Sequence, residues 1–260
     1  MYDVQGKVAV ITGAASGFGK LLAQRLVAKG CRVVLGDIND KAGEALAQAI
    51  NHEHPHHAMF QHCDVTQPSD IRLLFDQAVT AYGQADVMVN NAGIPGVGDF
   101  FDARSPAATM DAWNRVVDIN LRAVLYGTQY AVHHWMERKR SGVVVNVSSA
   151  SAFVLLPFSP VYAATKAAVQ HFTSNCLPLS KKDIRVNAVA PFFSKTALVT
   201  NALEQDPALV PLVGSLPMVA PDLVVDAFMR CIEDEKLRGK TLSVLPRDGV
   251  QIYRPVYPKL

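Results

Sequence analysis

The sequence carries little net charge, no long apolar run and few cysteines, and each shortage excludes a class of protein. A formal net charge of +2 gives no electrostatic reason to expect nucleic acid or an anionic membrane as a partner. The apolar runs fall well short of the about 18 residues that a membrane-spanning helix needs. No apolar segment follows Met1, so we also expect no secretory signal.

Cysteine usage predicts a reducing compartment, and the cytoplasm is the default expectation. The four cysteines are scattered and form no Cys-x-x-Cys pair; they are Cys31, Cys63, Cys176 and Cys231. The chain ends in Pro258-Lys259-Leu260, which is close to the Ser-Lys-Leu address of peroxisomal proteins. Because proline replaces the usual small residue, peroxisomal import is kept only as the alternative.

The histidines give no case for a metal centre. Four of them crowd one stretch: His52, His54, His56 and His57. Imidazoles bind Zn²⁺, but no Cys or Asp partner lies at a structural-zinc spacing. We therefore expect a solvated loop here and no metal.

A tyrosine and a lysine at helical spacing form the most informative pattern that is present. Tyr162 and Lys166 lie four positions apart, and Ser149 precedes them. Residues at i and i+4 share one helix face, and a neighbouring ammonium favours the ionised form of a phenol whose pKa is otherwise near ~10. Taken alone, such a pair is more often packing with an extended amine, so the rest of the chain decides.

The N-terminal segment predicts a strand, a glycine turn and a helix in that order. The apolar run Lys7 to Thr12 is typical of a buried strand, and an amphipathic stretch runs from Lys20 to Lys29. Glycines between a strand and a helix let the backbone approach a pyrophosphate, which the helix N-terminus then binds. The alternative is a turn that only needs positive φ. The predicted binding loop comprises Gly13, Ser16, Gly17, Phe18 and Gly19.

An acidic residue ends the second apolar run. Asp37 follows the glycines by about 20 positions, where a carboxylate accepts both hydroxyls of an adenosine ribose. Its charge would repel a 2′-phosphate, so we expect NAD as the cofactor, and a reductase running on NADPH is the alternative. Asp37 could instead cap a helix that begins near Asn39.

Length and patterning predict one α/β domain over residues 1–260. With 260 residues and 50% apolar content, the chain can bury a single core. Helical patterns separate the apolar runs, which favours βαβ units in a parallel sheet. The later runs are Ala58–Cys63, Asp86–Asn90, Val143–Val147, Ile184–Ala190 and Thr241–Leu245.

Together these motifs resemble the NAD-dependent short-chain dehydrogenase/reductase family. The matching residues are Thr12-Gly-x-x-x-Gly17-x-Gly19, Asp37, Asp64-Val65, Asn90-Asn-Ala-Gly93, Asn120, Ser149, Tyr162-x-x-x-Lys166 and Asn187-Ala-Val-Ala-Pro191. The layout is similar to the 15-hydroxyprostaglandin dehydrogenase group of that family. The resemblance implies a Rossmann-type, doubly wound parallel sheet of about seven strands with helices on both faces. It also implies a homodimer or homotetramer, for which the apolar run Leu121 to Trp135 could serve.

The resemblance also implies a division of labour in hydride transfer between NAD and a secondary alcohol or its ketone. Tyr162 would be the acid/base, and Lys166 would lower the Tyr162 pKa and bond the nicotinamide ribose. Ser149 would hydrogen-bond the substrate oxygen, and Asn120 would hold a water that links Lys166 to solvent. A catalytically silent NAD(H)-binding regulatory protein is the alternative function.

Further cofactor contacts follow from the same resemblance. The residues implied are Ile38 beside Asp37, Asp64 and Val65 at the adenine, Asn91, Ala92 and Gly93 in the crevice, and Pro191 and Thr196 near the nicotinamide. The Asn90–Gly93 segment could instead be structural, joining neighbouring strands.

The sequence departs from the usual pattern of the family at three positions. Phe192 stands where the family usually has glycine after Pro191, so the loop runs differently or Phe192 is an aromatic wall beside the nicotinamide. Ser159 replaces the glutamine common three residues before the tyrosine, so prostaglandin specificity is not carried over. Pro178 predicts an early end to the helix of Tyr162. A substrate segment around 191–218 and an apolar alcohol or ketone are expected, with a pocket of Ser149, Phe153, Ser159, Phe192 and Phe193.

Overall fold

The computed structural model describes residues 1–96, 100, 106–156, 159–196, 198–200, 204, 210–214 and 216–254. They contain one eight-stranded sheet in the order β3-β2-β1-β4-β5-β6-β7-β8. Strands β1 to β7 pair in parallel, and β8 pairs with β7 in the antiparallel sense. The strands are β1 Val8–Thr12, β2 Arg32–Asp37, β3 Ala58–His62, β4 Val87–Asn90, β5 Gly142–Val147, β6 Ile184–Pro191, β7 Thr241–Leu245 and β8 Gly249–Ile252.

Helices cover both faces of this sheet, as the doubly wound prediction requires. They are α1 Gly17–Ala28, α2 Asp40–Glu53, α3 Pro68–Tyr82, α4 Pro106–Val117, α5 Ala123–Glu137, α6 Pro160–Asn175, α7 Val210–Val213 and α8 Pro221–Glu233. Helices α1, α2 and α8 pack into one core, and α3 and α5 pack into the other. A π-helical turn, Asp118–Arg122, joins α4 to α5, and 3₁₀ turns span Ala150–Ala152 and Leu177–Lys182.

The strands read as continuous apolar runs because both of their faces are buried. Every residue of β1, β5 and β6 is buried, which is usual for parallel strands covered by helices on both sides. Successive residues of β1 alternate between the cores: Ala9 and Ile11 lie in one, and Val8 and Val10 lie in the other. The eighth strand adds to the seven predicted.

The order of the strands places a crevice between β1 and β4. The chain moves outward from β1 to β3, and β4 then pairs with the other edge of β1. Open parallel sheets bind ligands at such a switch point, outside the carboxyl ends of the strands. The glycine loop, Asp37 and Asn91 follow the ends of three neighbouring strands and so converge there.

Several local predictions from the sequence can be compared with the structure. Helix α6 ends at Asn175, before Pro178, as predicted. Asp37 does not cap α2, because the Asn39 side chain accepts from the Ala42 N–H at 3.1 Å and takes that position. Within the described ranges no group of His, Cys, Asp and Glu could hold a metal ion, and no helix there is long and apolar enough to cross a membrane. The C-terminal Pro258-Lys259-Leu260 lies outside the described residues.

Candidate active site

A crevice of about 780 Å³ opens at the carboxyl edge of the sheet. Residues that follow β1, β2, β3, β4, β5 and β6 all contribute to its wall. Most of the sequence-predicted site residues line it: Gly13, Ser16, Gly17, Phe18, Asp37, Ile38, Asp64, Val65, Asn91, Ala92, Gly93, Ser149, Ser159, Tyr162, Lys166, Pro191, Phe192, Phe193 and Thr196. Three predicted residues, Gly19, Asn120 and Phe153, do not.

The glycine loop presents an uncapped helix N-terminus to the crevice. Gly13 and Gly17 have φ angles of +62° and +51°, a region that suits glycine. The N-cap residue Ser16 makes no side-chain capping bond, and the first turn of α1 has no acidic residue. The free N–H groups and the positive end of the helix dipole therefore favour an anion here.

Gly19 lies behind the loop and serves packing. A Cβ on Gly19 would lie 2.3 Å from the Gly13 carbonyl oxygen and 2.7 Å from Asn91 Nδ2. Only glycine allows this close approach of α1 to the loop. The structure thus moves Gly19 from the expected cofactor contacts to the support of the loop.

The Asp37 carboxylate is fixed by backbone donors at the end of β2. Its Oδ2 accepts from the Ala15 N–H at 2.9 Å, and its Oδ1 accepts from the Asn39 N–H at 3.0 Å. An ionised carboxylate offers about four lone-pair positions, so two remain for hydroxyl donors in the crevice. Asp64 is held in a similar way, because its Oδ1 accepts from the Thr66 N–H and hydroxyl at 2.9 and 2.8 Å.

The Asn90–Gly93 segment ties β4 to its neighbours while its end lines the crevice. Asn91 Nδ2 donates to the carbonyls of Thr12 and Gly13, both at 2.9 Å. Buried Asn90 donates to Asn146 Oδ1 at 2.8 Å. The structural alternative therefore holds for Asn90, whereas Asn91 to Gly93 line the crevice and their contact with a cofactor stays a prediction.

Ser149, Tyr162 and Lys166 come together on the opposite wall. Ser149 follows β5 and caps the 3₁₀ turn, since its Oγ accepts from the Ser151 N–H at 3.2 Å. Tyr162 and Lys166 lie one turn apart on α6, with Lys166 Nζ 5.6 Å from the centre of the Tyr162 ring. Lys166 is almost fully buried and donates to the Val147 carbonyl at 3.0 Å.

Burial dominates the titration of both α6 groups. It raises the pKa of Tyr162, and a hydrogen bond with the Ser149 hydroxyl partly opposes this rise. Burial also lowers the pKa of Lys166 to about 8. The expected lowering of the Tyr162 pKa by Lys166 is thus not found in the chain itself, because desolvation of the phenolate is the larger effect.

Asn120 supports the loop after β4 from within the π-helical turn. It is fully buried; its Oδ1 accepts from the Ile94 N–H, and its Nδ2 donates to the Ile94 carbonyl, both at 2.9 Å. Each end of the amide therefore makes one bond within the chain, and the water-holding role of this side chain stays a prediction. Asn120 acts on the crevice by fixing Ile94.

Apolar side chains form the end of the crevice next to Tyr162. Phe192 and Phe193 meet edge to face with ring centres 5.2 Å apart, and the further apolar residues on the wall are Ile94, Val154, Leu156, Leu198, Val199 and Val213. Phe153 corrects the expectation for this pocket, because its ring stacks on Tyr253 with centres 4.5 Å apart and planes at 14°. Thr196 lies over the glycine loop, 3.7 Å from where a Gly17 Cβ would be.

A family model of the short chain dehydrogenases matches residues 7–207. The chain belongs to the short-chain dehydrogenase family. It is therefore an oxidoreductase, and the matched region contains the glycine loop, Asp37 and the Ser149, Tyr162 and Lys166 group. The resemblance seen in the sequence is confirmed.

The matches to named relatives cover nearly the whole length of this short-chain dehydrogenase. Human 15-hydroxyprostaglandin dehydrogenase, whose name specifies NAD(+), is 28% identical and the match covers 95% of this chain and 94% of the relative. Momilactone A synthase of Oryza sativa subsp. japonica is 34% identical, and the match covers 92% of this chain and 88% of that relative. A solved 3-ketoacyl-(acyl-carrier-protein) reductase from Brucella melitensis, complexed with NADH, superposes with a TM-score of 0.81 at 28% identity, covering 93% of this chain and 97% of that one.

Sequence reasoning missed part of the wall of this short-chain dehydrogenase. One missed group comes from the loop after β4 and from α4 and the π-helical turn: Ile94, Pro95, Gly96, Asp111, Asn114, Arg115 and Asp118. Ser151, after β5, was missed as well. The loop could have been found from its position directly after Gly93 at the end of β4. No local pattern marks the α4 residues, because tertiary packing alone brings them to the crevice.

Proposed function

We propose that this chain is an NAD-dependent oxidoreductase that transfers hydride between a secondary alcohol, or its ketone, in an apolar substrate and the nicotinamide. Tyr162 is the acid/base. The observation that carries the proposal is one continuous crevice with the glycine loop and Asp37 at one end and Ser149, Tyr162 and Lys166 at the other.

The residues present fit a nicotinamide dinucleotide. The uncapped N-terminus of α1 suits a pyrophosphate, and the Asp37 carboxylate suits ribose hydroxyls and disfavours a 2′-phosphate. The NAD(+) in the name of the human relative and the NADH in the Brucella complex also favour NAD. When bound, such a cofactor supplies the ring carbon that accepts or donates hydride.

The chain's own groups handle the proton and the substrate oxygen. The Tyr162 hydroxyl exchanges a proton with that oxygen, and the Ser149 hydroxyl hydrogen-bonds it as charge develops. Lys166 lies one helical turn from Tyr162, so its ammonium opposes, without overcoming, the burial that raises the Tyr162 pKa. Asn120 positions this end by holding Ile94.

The substrate class follows from the wall beside Tyr162. Aromatic and aliphatic side chains form much of the wall there, and Ser149, Ser151 and Ser159 add hydroxyls. Polar and charged residues of α4 and the π-helical turn also reach the crevice: Asp111, Asn114, Arg115 and Asp118. Pockets of this kind bind apolar ligands and use a few polar groups for orientation. An apolar secondary alcohol or ketone is the ligand that suits both the wall and the catalytic hydroxyls.

We further propose that residues 1–260 act as one catalytic domain in a cytoplasmic homodimer or homotetramer. Trp135, expected in the interface run, is fully buried and donates Nε1–H to the Ala85 carbonyl, so it is part of the core. The proposed interface therefore uses the other side of α5, where Met136 is 39% exposed. Sedimentation of the purified protein measures the assembly.

The decisive experiment follows NADH fluorescence while the protein is incubated with NAD⁺ or NADP⁺ and a panel of apolar secondary alcohols. We expect turnover with NAD⁺, and a loss of about 10²–10⁴-fold in kcat for Tyr162→Phe. Tyr130→Phe is the matched control, since the Tyr130 hydroxyl donates to Asp76 away from the crevice. Near-full activity of Tyr162→Phe would contradict the proposal, and NADH binding without turnover across the panel would favour the silent regulatory protein.

A further inference from the structure

Two hydroxyls beside the catalytic pair lack hydrogen-bond partners. Among the residues that the structure describes, four buried side-chain oxygens are unpartnered: Asn90 Oδ1, Ser151 Oγ, Ser159 Oγ and Thr241 Oγ1. Ser151 and Ser159 line the crevice, whereas Asn90 and Thr241 do not. A buried hydroxyl without a partner destabilises the fold, so two of them on one wall of the active site call for an explanation.

The two serines flank the groups that hold the reacting oxygen. Ser151 lies two residues after Ser149, and its N–H donates to Ser149 Oγ at 3.2 Å. Ser159 lies three residues before Tyr162, at the start of α6, so one helical turn puts it on the same face as Tyr162. Each orphan hydroxyl therefore neighbours one member of the Ser149–Tyr162 pair.

The loop after β4 makes room for the Ser159 hydroxyl. A Cβ built on Gly96 would lie 1.8 Å from Ser159 Oγ and 3.3 Å from Tyr162 Cβ, so glycine leaves room for this hydroxyl in the rotamer that it adopts. Ser159 does not use its hydroxyl to cap α6. The hydroxyl occupies space that a side chain at position 96 would fill, and it gains no bond within the described chain.

Both hydroxyls can reach a ligand by rotation about a single bond. Neither oxygen is exposed to solvent where it stands, but a serine has three staggered χ1 positions, and both residues lie on the crevice wall. A ligand that offers a second polar atom would satisfy a hydroxyl that is otherwise unpaired. A ligand without that atom would leave the hydroxyl unpaired, and sites of this kind discriminate strongly.

We infer that Ser151 and Ser159 select substrates that carry a second oxygen close to the reacting one, as in a vicinal diol or a hydroxyketone. The inference rests on the proposed function, because Ser149 and Tyr162 must hold the first oxygen. Ser151 and Ser159 are specificity residues, and the remainder of the substrate stays apolar.

The test compares 1,2-cyclohexanediol with cyclohexanol, which differ by one hydroxyl. We expect the wild type to have the higher kcat/KM for the diol. Ser151→Ala and Ser159→Ala should each lower the diol-to-alcohol ratio about twofold to tenfold, and the double variant should bring it close to one. Thr241→Val is the matched control, since it removes an orphan hydroxyl away from the crevice and should leave the ratio unchanged. Melting temperatures should not fall in the serine variants, because each loses an unpaired group.

Binding of the two probes, followed by thermal shift with and without NADH, separates this inference from the proposed function. Diol-selective binding that the double variant loses, without turnover of either probe, would support selection by the two serines and count against the proposed catalysis. If the wild type shows the same kcat/KM and the same thermal shift with both probes, the inference is overturned. A diol preference that survives in the double variant would overturn it as well.

Discussion

At the scale of single residues, burial destabilises the charged form of Lys166. It is 3% exposed and makes one hydrogen bond, to the Val147 carbonyl, and burial lowers its pKa to about 8. The unfolded chain would titrate this amine near ~10.4. Below about pH 8 the amine is charged in both states, so burying its charge lowers the free energy of unfolding by the full amount. Between about pH 8 and ~10.4 only the unfolded chain still binds the proton, so this destabilisation decreases as the pH rises.

Replacing this lysine should stabilise the fold and abolish turnover. We expect Lys166→Met to raise the free energy of unfolding at pH 7 by up to on the order of 3 kcal/mol, since an apolar chain of similar length removes the buried charge. The gain should shrink toward pH 10. Denaturant unfolding at both pH values measures it, with Lys29→Met, an exposed partner of Glu233, as control. An equal loss of stability at both pH values would show that the Val147 bond outweighs the desolvation.

Residues at strand ends could be assigned from the sequence, whereas residues brought in by packing could not. The glycine loop, Asp37 and Ser149 each lie at or within two residues of the end of a strand, so a correct strand assignment also places them. Phe153 was expected in the pocket because it follows Ser149 closely and is apolar. Its true partner, Tyr253, is distant in sequence, and no local pattern reveals that contact.

At the scale of elements, the strands with apolar runs were predictable, whereas β8 and the irregular turns were not. The apolar runs of β1 to β7 match the strands to within a residue or two, because parallel strands covered on both faces have few polar positions to interrupt the pattern. The sequence Gly249–Ile252 of β8 is short and only partly buried, so its signal is weak. The π-helical turn Asp118–Arg122 has no local signature, although it positions Asn120.

The contact of β8 with the 3₁₀ turn should matter for catalysis. Tyr253 directly follows β8, donates its N–H to the Thr241 carbonyl at 2.8 Å and stacks on Phe153, which ends the turn that Ser149 caps. Loss of the ring should let this turn, and with it Ser149, move. We expect Tyr253→Ala to lower kcat by about tenfold or more, within the ~10²-fold that small misplacements cause.

The conservative variant separates positioning from a general loss of stability. Tyr253→Phe keeps the stacked ring and should keep kcat, while Tyr253→Ala should lower kcat more than it changes KM for the cofactor. The measurement is steady-state kinetics alongside thermal unfolding. Equal kcat for the two variants at matched stability would show that the stack does not position Ser149.

At the scale of the whole molecule, the crevice depends on both halves of the sheet. Its wall takes residues such as Gly13, Asp37 and Asp64 from the half that contains β1, β2 and β3, and residues such as Ser149, Tyr162 and Phe192 from the half that contains β5 and β6. The two halves meet where β1 pairs with β4, and Asn91 joins them through the Thr12 and Gly13 carbonyls. A ligand that spans the crevice therefore binds a site that no single half completes.

Amide hydrogen exchange should distinguish the two halves of the crevice wall when NADH is compared with AMP, which is only one end of the dinucleotide. We expect NADH at about 100 times its Kd to slow exchange by up to ~100-fold both in the glycine loop and in the segments after β5 and β6. AMP, at the same multiple of its own Kd, should protect only the segments near Gly13, Asp37 and Asp64, because it is too short to reach Tyr162. Protection of both halves by AMP would mean that the halves close together as one unit, and it would contradict a crevice assembled from two separately stabilised walls.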